Sequence, residues 1–233
     1  MRVAILSDVH ANLEALTRAL DLIDELRPDS VVCLGDLVGY GPDPGPCVDL
    51  IRERCDAVVL GNHDEAVAFD RGVNVLPREG RKAALLHQKL LTEEQLTWLR
   101  GLPLVLVGRG MTLAHAAPLA PESWPRLNTF HELQAQFSAF ETEVCFVGHS
   151  HRPAIVADKV GVHRLRHGHR YLIDVGSVGQ PRDHDPRLCF GVFDSEAFTF
   201  EHVRAHYDLE RTVIKIREAK LPRSLASRLR QGV

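Results

Sequence analysis

Aspartate, asparagine and histidine side chains recur directly after short apolar segments in the first two thirds of the chain. The most concentrated example is Asn62, His63 and Asp64, which follow Gly61. The preceding residues 57–60 are apolar and bounded by glycine, a pattern typical of a buried strand. The polar residues are therefore predicted at the C-terminal end of this strand, where open α/β sheets bind ligands. Asn and Asp also stabilise ordinary turns, so the tripeptide alone does not establish a site.

A carboxylate and an imidazole lie two residues apart after the first predicted strand, at residues 2–6. Because residues two apart in a nearly extended loop point to the same side, Asp8 and His10 are predicted to form a metal-ligand pair. Alternatively, Asp8 or Asn12 only caps the helix that the spacing of apolar residues from 13 to 23 predicts.

Asp36 follows a second predicted strand at residues 31–34, and a helix is predicted from about residue 46 to residue 54. Residues 38–45 are too rich in Gly and Pro for regular structure and are predicted to form a loop. Its glycines could let backbone amides approach an anion, or it could be a simple surface turn. Three successive strand–loop–helix units predict a parallel sheet with right-handed crossovers, which brings their polar loops to one edge.

Histidines follow two later predicted strands. His115 comes after residues 111–114, although a histidine there could simply bond a neighbouring carbonyl. His149 and His151 follow the strand predicted at residues 144–147, and their spacing of two predicts that both imidazoles lie on one side.

The complete set has the donor types of a metal centre. Carboxylate, imidazole and amide ligands without thiolates favour Mn²⁺, Fe or Zn²⁺ over Ca²⁺ or Mg²⁺. One ion would not use so many ligands. Two ions about 3.5 to 4 Å apart, bridged by a carboxylate, would clamp the attacking and leaving oxygens of a displacement at phosphorus. The set in chain order is Asp8, His10, Asp36, Asn62, His63, His115, His149 and His151.

The rest of the chain predicts the elements that position these loops. Residues 79–99 have helical periodicity, with Thr92 and Gln95 as a capping box and His87 as a helix-face residue. A hairpin is predicted over 104–114 and a helix near 132–140. Short strands at 156–160, 162–165, 171–174, 189–194 and 198–204 are predicted to form a second, more antiparallel sheet. A helix at 208–217 and a basic, solvated or frayed tail from Leu221 complete a predicted single domain over residues 1–233.

One loop of the C-terminal half could bind phosphate. Residues 175–183 combine glycines with Ser177 and Arg182, and Arg is the bidentate partner of phosphate oxygens. Alternatively, this arginine pairs with Asp183 or Asp185. Four further histidines of this half are interpreted as surface or hairpin residues, because the earlier set already fills two metal sites. These are His163, His167, His169 and His184.

Composition excludes several classes of protein. The chain has 233 residues, of which 45% are hydrophobic and 25% charged, as in ordinary globular proteins. A net charge of -3 gives no strong signal for nucleic acid or an anionic membrane. No apolar segment approaches transmembrane length and no signal peptide precedes the first strand, so a cytoplasmic location is expected. The five cysteines are widely spaced without CxxC, which argues against disulfides and a thiolate zinc site.

The motif order DxH, GD, GNHD, H and GHxH between residues 8 and 151 resembles the calcineurin-like metallophosphoesterase superfamily, and the chain looks like its small bacterial phosphodiesterase-like branch. The segment GSVGQPRD extends the likeness to about residue 183. The resemblance implies an α/β fold, namely a four-layer α/β/β/α sandwich of two mixed sheets with metals at the strand ends. It also implies a phosphodiesterase or phosphatase that acts on small phosphoesters or nucleotides.

The resemblance further assigns roles to the site residues. Asp36 would bridge two divalent metal ions, with Mn²⁺ preferred and Fe or Zn²⁺ as alternatives. The nucleophile would be a hydroxide between the ions. His63, oriented by Asp64, would act as the acid, and Asn62, His63 and Arg182 would contact the substrate. One ion would be held by Asp8, His10, Asp36 and His151, and the other by Asp36, Asn62, His115 and His149.

Two departures from the family pattern bear on the substrate. Ala11 stands where the family often has Gly, which would alter only the turn. The segment GDLVGYG lacks the Arg that follows the second motif in protein phosphatases, which weakens the protein phosphatase and dinucleoside polyphosphate hydrolase alternatives. Without a long recognition insertion, the site is expected to be fairly open and to suit small phosphodiesters.

Two other classes of function remain as alternatives. A protein-binding scaffold of the same fold would have no use for eight convergent polar groups, whose burial is costly without metals. A DNA nuclease would favour a basic channel, which the net charge of -3 does not suggest. Self-association as a homo-oligomer stays open.

Overall fold

The computed structural model describes residues 1–162 and 164–233. The strands are β1 (Arg2–Leu6), β2 (Ser30–Cys33), β3 (Ala57–Val58), β4 (Val105–Gly108), β5 (Met111–Ala114), β6 (Val144–Val147), β7 (Ala154–Ala157), β8 (Tyr171–Asp174), β9 (Leu188–Asp194) and β10 (Thr199–Ala205). The α-helices are α1 (Leu13–Leu26), α2 (Pro44–Arg54), α3 (Asn62–Phe69), α4 (Arg78–Leu90), α5 (Glu93–Arg100), α6 (Phe130–Gln136), α7 (Leu209–Glu218) and α8 (Arg223–Gln231).

The first sheet has the strand order β10-β9-β1-β2-β3. Strands β1, β2 and β3 are parallel, as the three strand–loop–helix units predict, whereas β9 runs antiparallel to both β1 and β10. Because the carboxyl ends of the parallel strands share one edge, the loops that carry Asp8, Asp36 and Asn62 meet there.

The second sheet has the order β4-β5-β6-β8-β7, with a parallel centre of β5, β6 and β8. The edge strands β4 and β7 pair antiparallel with their neighbours. The predicted hairpin is β4 and β5. The loops that follow β5 and β6 carry His115 and His149, two of the predicted metal ligands.

The two sheets face each other across an apolar layer. Alternate residues of β1 divide between two cores: Val3 and Ile5 pack toward the second sheet, and Ala4 and Leu6 pack against helices such as α1. On the far side of the second sheet, Cys145 packs with Phe137 and Phe140 near α6. The structure is therefore the expected α/β sandwich with two mixed sheets inside and helices outside.

Several predicted elements need correction. Strands β9 and β10 do not extend the second sheet; they pair beside β1 in the first. The second sheet is thus less antiparallel than expected. Residues 162, 164 and 165 lie outside any strand, and the strand predicted at 156–160 lies at Ala154–Ala157. The tail is not frayed, because α8 buries Leu225 and Leu229 against α7.

The predicted capping box at the start of α5 is confirmed. Thr92 accepts a hydrogen bond from the Gln95 backbone N–H and the Gln95 side chain accepts one from the Thr92 N–H, which is the predicted capping box. All five cysteines are free thiols. In the described part of the chain, no α-helix combines the length and apolar character needed to cross a bilayer.

Candidate metal centre

The loops of the site adopt backbone conformations that L-residues rarely use. The φ angles are 53° at Asp8, 48° at His10, 54° at Asp36, 65° at His149 and 60° at His151. The expectation that DxH and GHxH are nearly extended is therefore wrong. Each left-handed residue costs about 1–3 kcal/mol, and such strain concentrates at functional sites.

One cluster of ligand atoms combines side chains from two loops of the fold, the loop after β1 and the loop after β6. The Nε2 atom of His151 lies 3.2 Å from Asp8 Oδ1, and His10 Nε2 lies 3.7 Å from the same oxygen. His10 Nε2 and His151 Nε2 are 3.1 Å apart. The side chains of Asp8 and His10 therefore do point to one place, as predicted, but the backbone at both residues is left-handed rather than extended.

A second cluster adjoins the first through Asp36. His115 Nε2 lies 3.3 Å from Asp36 Oδ2, and His10 Nε2 lies 3.6 Å from that same oxygen. His149 belongs to this second group with Asp36 and His115, so the two histidines of GHxH separate into different clusters. Asn62 Oδ1 lies 2.9 Å from His149 Nδ1. Asp36 is the side chain placed between both groups.

Backbone carbonyls fix the orientation of three imidazoles. The Nδ1 atoms of His10, His115 and His151 lie 2.9, 2.7 and 2.6 Å from the carbonyl oxygens of Val38, Leu34 and Gln180. Because a carbonyl only accepts, each Nδ1 must donate its proton, and a neutral ring then presents a lone pair at Nε2. This is the arrangement in which metal-binding histidines are held by their second nitrogen.

Buried polar atoms of both clusters lack hydrogen-bond partners in the described part of the protein, and their positions fit a divalent cation. Two Nε2 lone pairs 3.1 Å apart, on His10 and His151, repel unless a proton or a cation lies between them. Asp8 Oδ1 and His115 Nε2 are buried and have no hydrogen-bond partner among the described residues. Burial lowers the pKa of His10 and His151 well below 6.5, so both are neutral and able to ligate.

Asp36 carries the negative charge of the centre. Burial alone would raise the pKa of its carboxyl, but the neighbouring His115 and His63 outweigh that effect and lower it. Burial raises the pKa of the Asp8 carboxyl to about 6. A bound cation would favour the ionised form of both carboxylates.

His63 lies beside the two clusters and lines a cavity of about 490 Å³ above them. Its backbone N–H donates to Asp36 Oδ1 over 2.7 Å, which fixes the start of α3 against the metal-ligand loop. Its Nδ1 is buried without a hydrogen-bond partner among the described residues. Gly39 makes room for the ring, because a Cβ at position 39 would overlap the imidazole.

Asp64 has a different place from the one expected. Its carboxylate accepts hydrogen bonds from the backbone N–H groups of Leu37, Val38 and Gly61, at 2.9 to 3.2 Å. It therefore joins the loop after β2 to the start of α3. The expected orientation of the His63 ring by this carboxylate does not correspond to any of these hydrogen bonds.

Arg182, the residue predicted to contact phosphate, lines the cavity above the centre. Its Nη2 donates to Gln180 Oε1 over 3.0 Å, and its guanidinium lies 5.4 Å from the ring centroid of Tyr40. The alternative pairing with acidic neighbours is not seen in the described residues, because Asp183 pairs with Arg204 and Asp185 pairs with Arg187 and Arg204.

Sequence reasoning missed Tyr40 as a residue of the site. Its ring centroid lies 4.7 Å from that of His10 and 4.5 Å from that of His63. Arg228 of α8 lies on the ring as well, 5.7 Å from its centroid. The residue lies in the Gly- and Pro-rich loop, where no spacing signal marks it, and Arg228 is nearly two hundred residues away in the chain.

The remaining histidines lie outside the clusters. His167 and His184 are exposed and His169 is half-buried, in agreement with their interpretation as surface residues. His163 lies outside the described residues. His87 is fully buried in α4: its Nδ1 accepts from the Gly39 N–H over 3.1 Å, and its Nε2 donates to the Gly41 carbonyl over 2.9 Å. It is therefore a residue that holds the Tyr40 loop rather than a helix-face residue.

The contacts of His87 predict a pH-dependent contribution to stability. Burial lowers its pKa from 6.5 to about 4. Between these values the unfolded state binds more protons, so stability falls as pH decreases from 6.5 toward 4. The full contribution is about 3 kcal/mol at roughly 1.4 kcal/mol per pKa unit.

Urea unfolding at pH 5 and pH 7.5 measures this effect. His87→Gln keeps a donor and an acceptor but does not titrate, so we expect it to lose less stability on acidification than the wild type. Equal losses in both proteins would show that His87 does not contribute.

Comparison with known proteins defines the class of this molecule. Residues 1–197 match the family model of the calcineurin-like phosphoesterase superfamily domain. The chain therefore belongs to the calcineurin-like phosphoesterase superfamily and is a hydrolase that acts on phosphoester bonds.

Particular relatives extend the likeness over the whole chain. An uncharacterized protein of Methanocaldococcus jannaschii, MJ0912, is 36% identical over 99% of this chain and 98% of its own length. The crystal structure of a metallophosphoesterase from Sphaerobacter thermophilus has a TM-score of 0.88 at 36% identity and covers 100% of this chain and 99% of that one. Phosphodiesterase YfcE of Escherichia coli is 24% identical over 85% of this chain and 90% of its own length.

Proposed function

We propose that the chain is a single-domain phosphodiesterase or phosphatase for small phosphoesters or nucleotides, with two divalent metal ions at its centre. The observation that carries the proposal is a pair of adjoining clusters, in which Asp36 of the second lies 3.6 Å from His10 Nε2 of the first and backbone carbonyls hold the Nδ1 atoms of three imidazoles. Membership of the family and similarity to a protein named as a phosphodiesterase support this function.

The two clusters suggest how the ligands divide. Asp36 would bridge the ions. The imidazole-rich set without thiolates suits Mn²⁺, with Fe and Zn²⁺ as alternatives. The first ion would be held by Asp8, His10, Asp36 and His151, and the second by Asp36, Asn62, His115 and His149.

The reaction would be hydrolysis by one water molecule. The water oxygen forms a bond to phosphorus, the bond from phosphorus to the leaving oxygen breaks, and the leaving oxygen takes up a proton. When bound, the ions would make water nucleophilic near neutral pH and offset charge on the phosphate oxygens.

The residues of this chain would bind and orient the ester. Arg182 and Asn62 line the cavity above the centre, where a guanidinium and an amide can contact phosphate oxygens. His63 lines the same cavity, where its ring would give a proton to the leaving oxygen. Asp64 would act indirectly, by fixing the two loops on either side of His63.

Metal-dependent hydrolysis of chromogenic esters tests the proposed function. The protein is treated with EDTA, its metal content is measured, and Mn²⁺ is added back during assays with bis(p-nitrophenyl) phosphate and p-nitrophenyl phosphate. We expect no turnover after chelation, recovery with Mn²⁺ and binding of two ions per chain, because ion-free carboxylates and imidazoles cannot supply the nucleophile.

The ratio of the two rates gives the diester or monoester preference. A matched control is the Asp56→Asn variant, whose carboxylate binds Ser30 and Val31 away from the centre and should leave metal content and turnover unchanged. A wild type that binds Mn²⁺ but cleaves neither ester would favour the scaffold alternative.

A further inference from the structure

A second cavity adjoins the metal centre on the outer face of the second sheet. It has a volume of about 410 Å³, within the range of about 300–1,000 Å³ that small organic ligands occupy. Helix α6 covers only part of this face, because it has just seven residues. The space lies between the end of β6, the strands β7 and β8, and the segment from Pro125 to Leu133.

This cavity and the one above the candidate metal centre are adjacent. His149, Arg126 and Arg182 line both of them. His149 belongs to the second ligand cluster, so a phosphate group at the centre would lie at the junction. The organic group of the same ester could therefore extend directly into the second cavity.

The sheet register gives this cavity an apolar wall with one polar end. Val156 of β7 lies opposite Leu172 of β8, and Ala154 lies opposite Asp174. Residues that are paired in this way share a face of the sheet, and all four line the cavity. The aliphatic pair offers a surface for a flat ring, and Asp174 lies at one end of that surface.

The polar end of the cavity contains hydrogen-bond acceptors. Asp174 is 8% exposed, and its carboxylate accepts from Ser150 Oγ over 2.6 Å and from the Gly176 N–H over 2.9 Å. A carboxylate oxygen can accept more than one hydrogen bond. Asp174 therefore has capacity for a ligand N–H or O–H at the edge of an apolar surface.

The rim of the cavity is positively charged. Arg126, Arg152 and Arg182 line it. The arginine ion pairs among residues 1–162 and 164–233 are made by other guanidinium groups, those of Arg18, Arg52, Arg54, Arg100, Arg187, Arg204 and Arg230. Three arginines without a carboxylate partner favour an anionic ligand.

We infer that this cavity binds the nucleoside group of a nucleotide ester whose phosphate lies at the metal centre. The inference rests on the proposed function and names its substrate class. A nucleobase combines a flat apolar face with N–H groups at its edge, which matches the Val156 and Leu172 wall beside Asp174. A simple alkyl ester would make no hydrogen bond to Asp174, and a sugar would leave the apolar wall uncovered.

Binding of three phosphates to the Mn²⁺-loaded protein tests the inference by calorimetry. Adenosine 5′-monophosphate, ribose 5-phosphate and inorganic phosphate share the phosphate group, and only the first has a base. We expect the base to tighten binding by at least about 10-fold, as burial of a flat ring of moderate size allows. Equal dissociation constants for the first two would overturn the inference.

Matched variants on β7 locate the effect. Ala154→Trp places a large ring inside the cavity and is expected to reduce the gain in affinity from the base to less than about 2-fold. Residue 155 lies on the other face of the strand and is 46% exposed, so Ile155→Trp should retain the full gain. Leu127→Ala shortens the opposite wall and should also reduce the gain in affinity from the base. This variant tests the cavity even if Ala154→Trp fails to fold. A gain that persists in both cavity variants would place the base elsewhere.

Hydrolysis of bis(p-nitrophenyl) phosphate by the same proteins separates the two proposals. Turnover without a base-dependent gain would leave the phosphodiesterase function standing and overturn the nucleoside subsite. Without any turnover, the proposed function fails and the substrate class that rests on it fails too, whatever the binding data show.

Discussion

Asp36→Asn is expected to remove most of the activity and to lower metal binding at both clusters. Asp36 Oδ2 lies 3.3 Å from His115 Nε2 and 3.6 Å from His10 Nε2, so it is the one carboxylate in reach of both groups in the described structure. An amide keeps the shape but lacks the negative charge that two adjacent cations need. Loss of an outer-shell partner typically costs about 10- to 100-fold, so loss of a shared ligand should cost at least about 100-fold in hydrolysis.

Metal analysis after gel filtration in Mn²⁺-containing buffer measures this effect together with the rate of ester hydrolysis. His151→Ala serves as the comparison, because His151 belongs to only one cluster and should leave the second ion bound. A variant Asp36→Asn that retains two ions and full activity would contradict the bridging role.

The variant also has a structural consequence that must be measured. Asp36 Oδ1 accepts the N–H of His63, and an asparagine can accept the same hydrogen bond through its amide oxygen. The first turn of α3 should therefore keep its position. Similar melting temperatures for wild type and Asp36→Asn in EDTA would show that lost activity reflects the metal site rather than unfolding.

The parallel strands explain why so much of the site could be predicted. A polar residue directly after a parallel strand lies at the carboxyl edge of the sheet. Recognition of β1, β2 and β3 as parallel strands is therefore enough to predict that Asp8, Asp36 and Asn62 lie close together. The same logic applies to His115 and His149 after β5 and β6. The apolar pattern of the strands and this rule of sheet geometry were enough to predict which side chains lie at the candidate site.

The parts that failed depend on long-range choices that short patterns do not contain. The sequence pattern of β9 and β10 does not show which sheet the two strands join. In the structure they join the first sheet, where Val192 and Phe193 pack into the cores on its opposite faces. The left-handed φ angles of Asp8 and His10 are likewise set by contacts with another loop, through their N–H bonds to Gly35 and Asp36 carbonyls. The packing of α8 could have been foreseen, since Leu225 and Leu229 are spaced four residues apart.

His63→Ala is expected to lower the rate of diester hydrolysis by about 10²- to 10⁴-fold while both ions stay bound, which is the usual contribution of a positioned proton donor. The proposed ligand set does not include the ring, and the backbone N–H that contacts Asp36 remains after the substitution. The effect is measured from kcat with Mn²⁺ at saturation, alongside the metal content. Asp56→Asn is the control, because its carboxylate contacts Ser30 and Val31 away from the ligand set.

The dependence on leaving group separates proton donation from mere charge stabilisation. A proton matters most when the departing oxygen is basic, so the loss in His63→Ala should be larger for diphenyl phosphate than for bis(p-nitrophenyl) phosphate, whose leaving group is stable as an anion. An equal loss of rate with both esters would instead show that the His63 ring stabilises negative charge on the phosphate oxygens. Loss of one ion in the variant would make His63 a ligand, as its proximity to His10 and Asp36 also permits. His63 lines the cavity from beside the clusters, and the proposed donor role requires that the leaving oxygen face this ring.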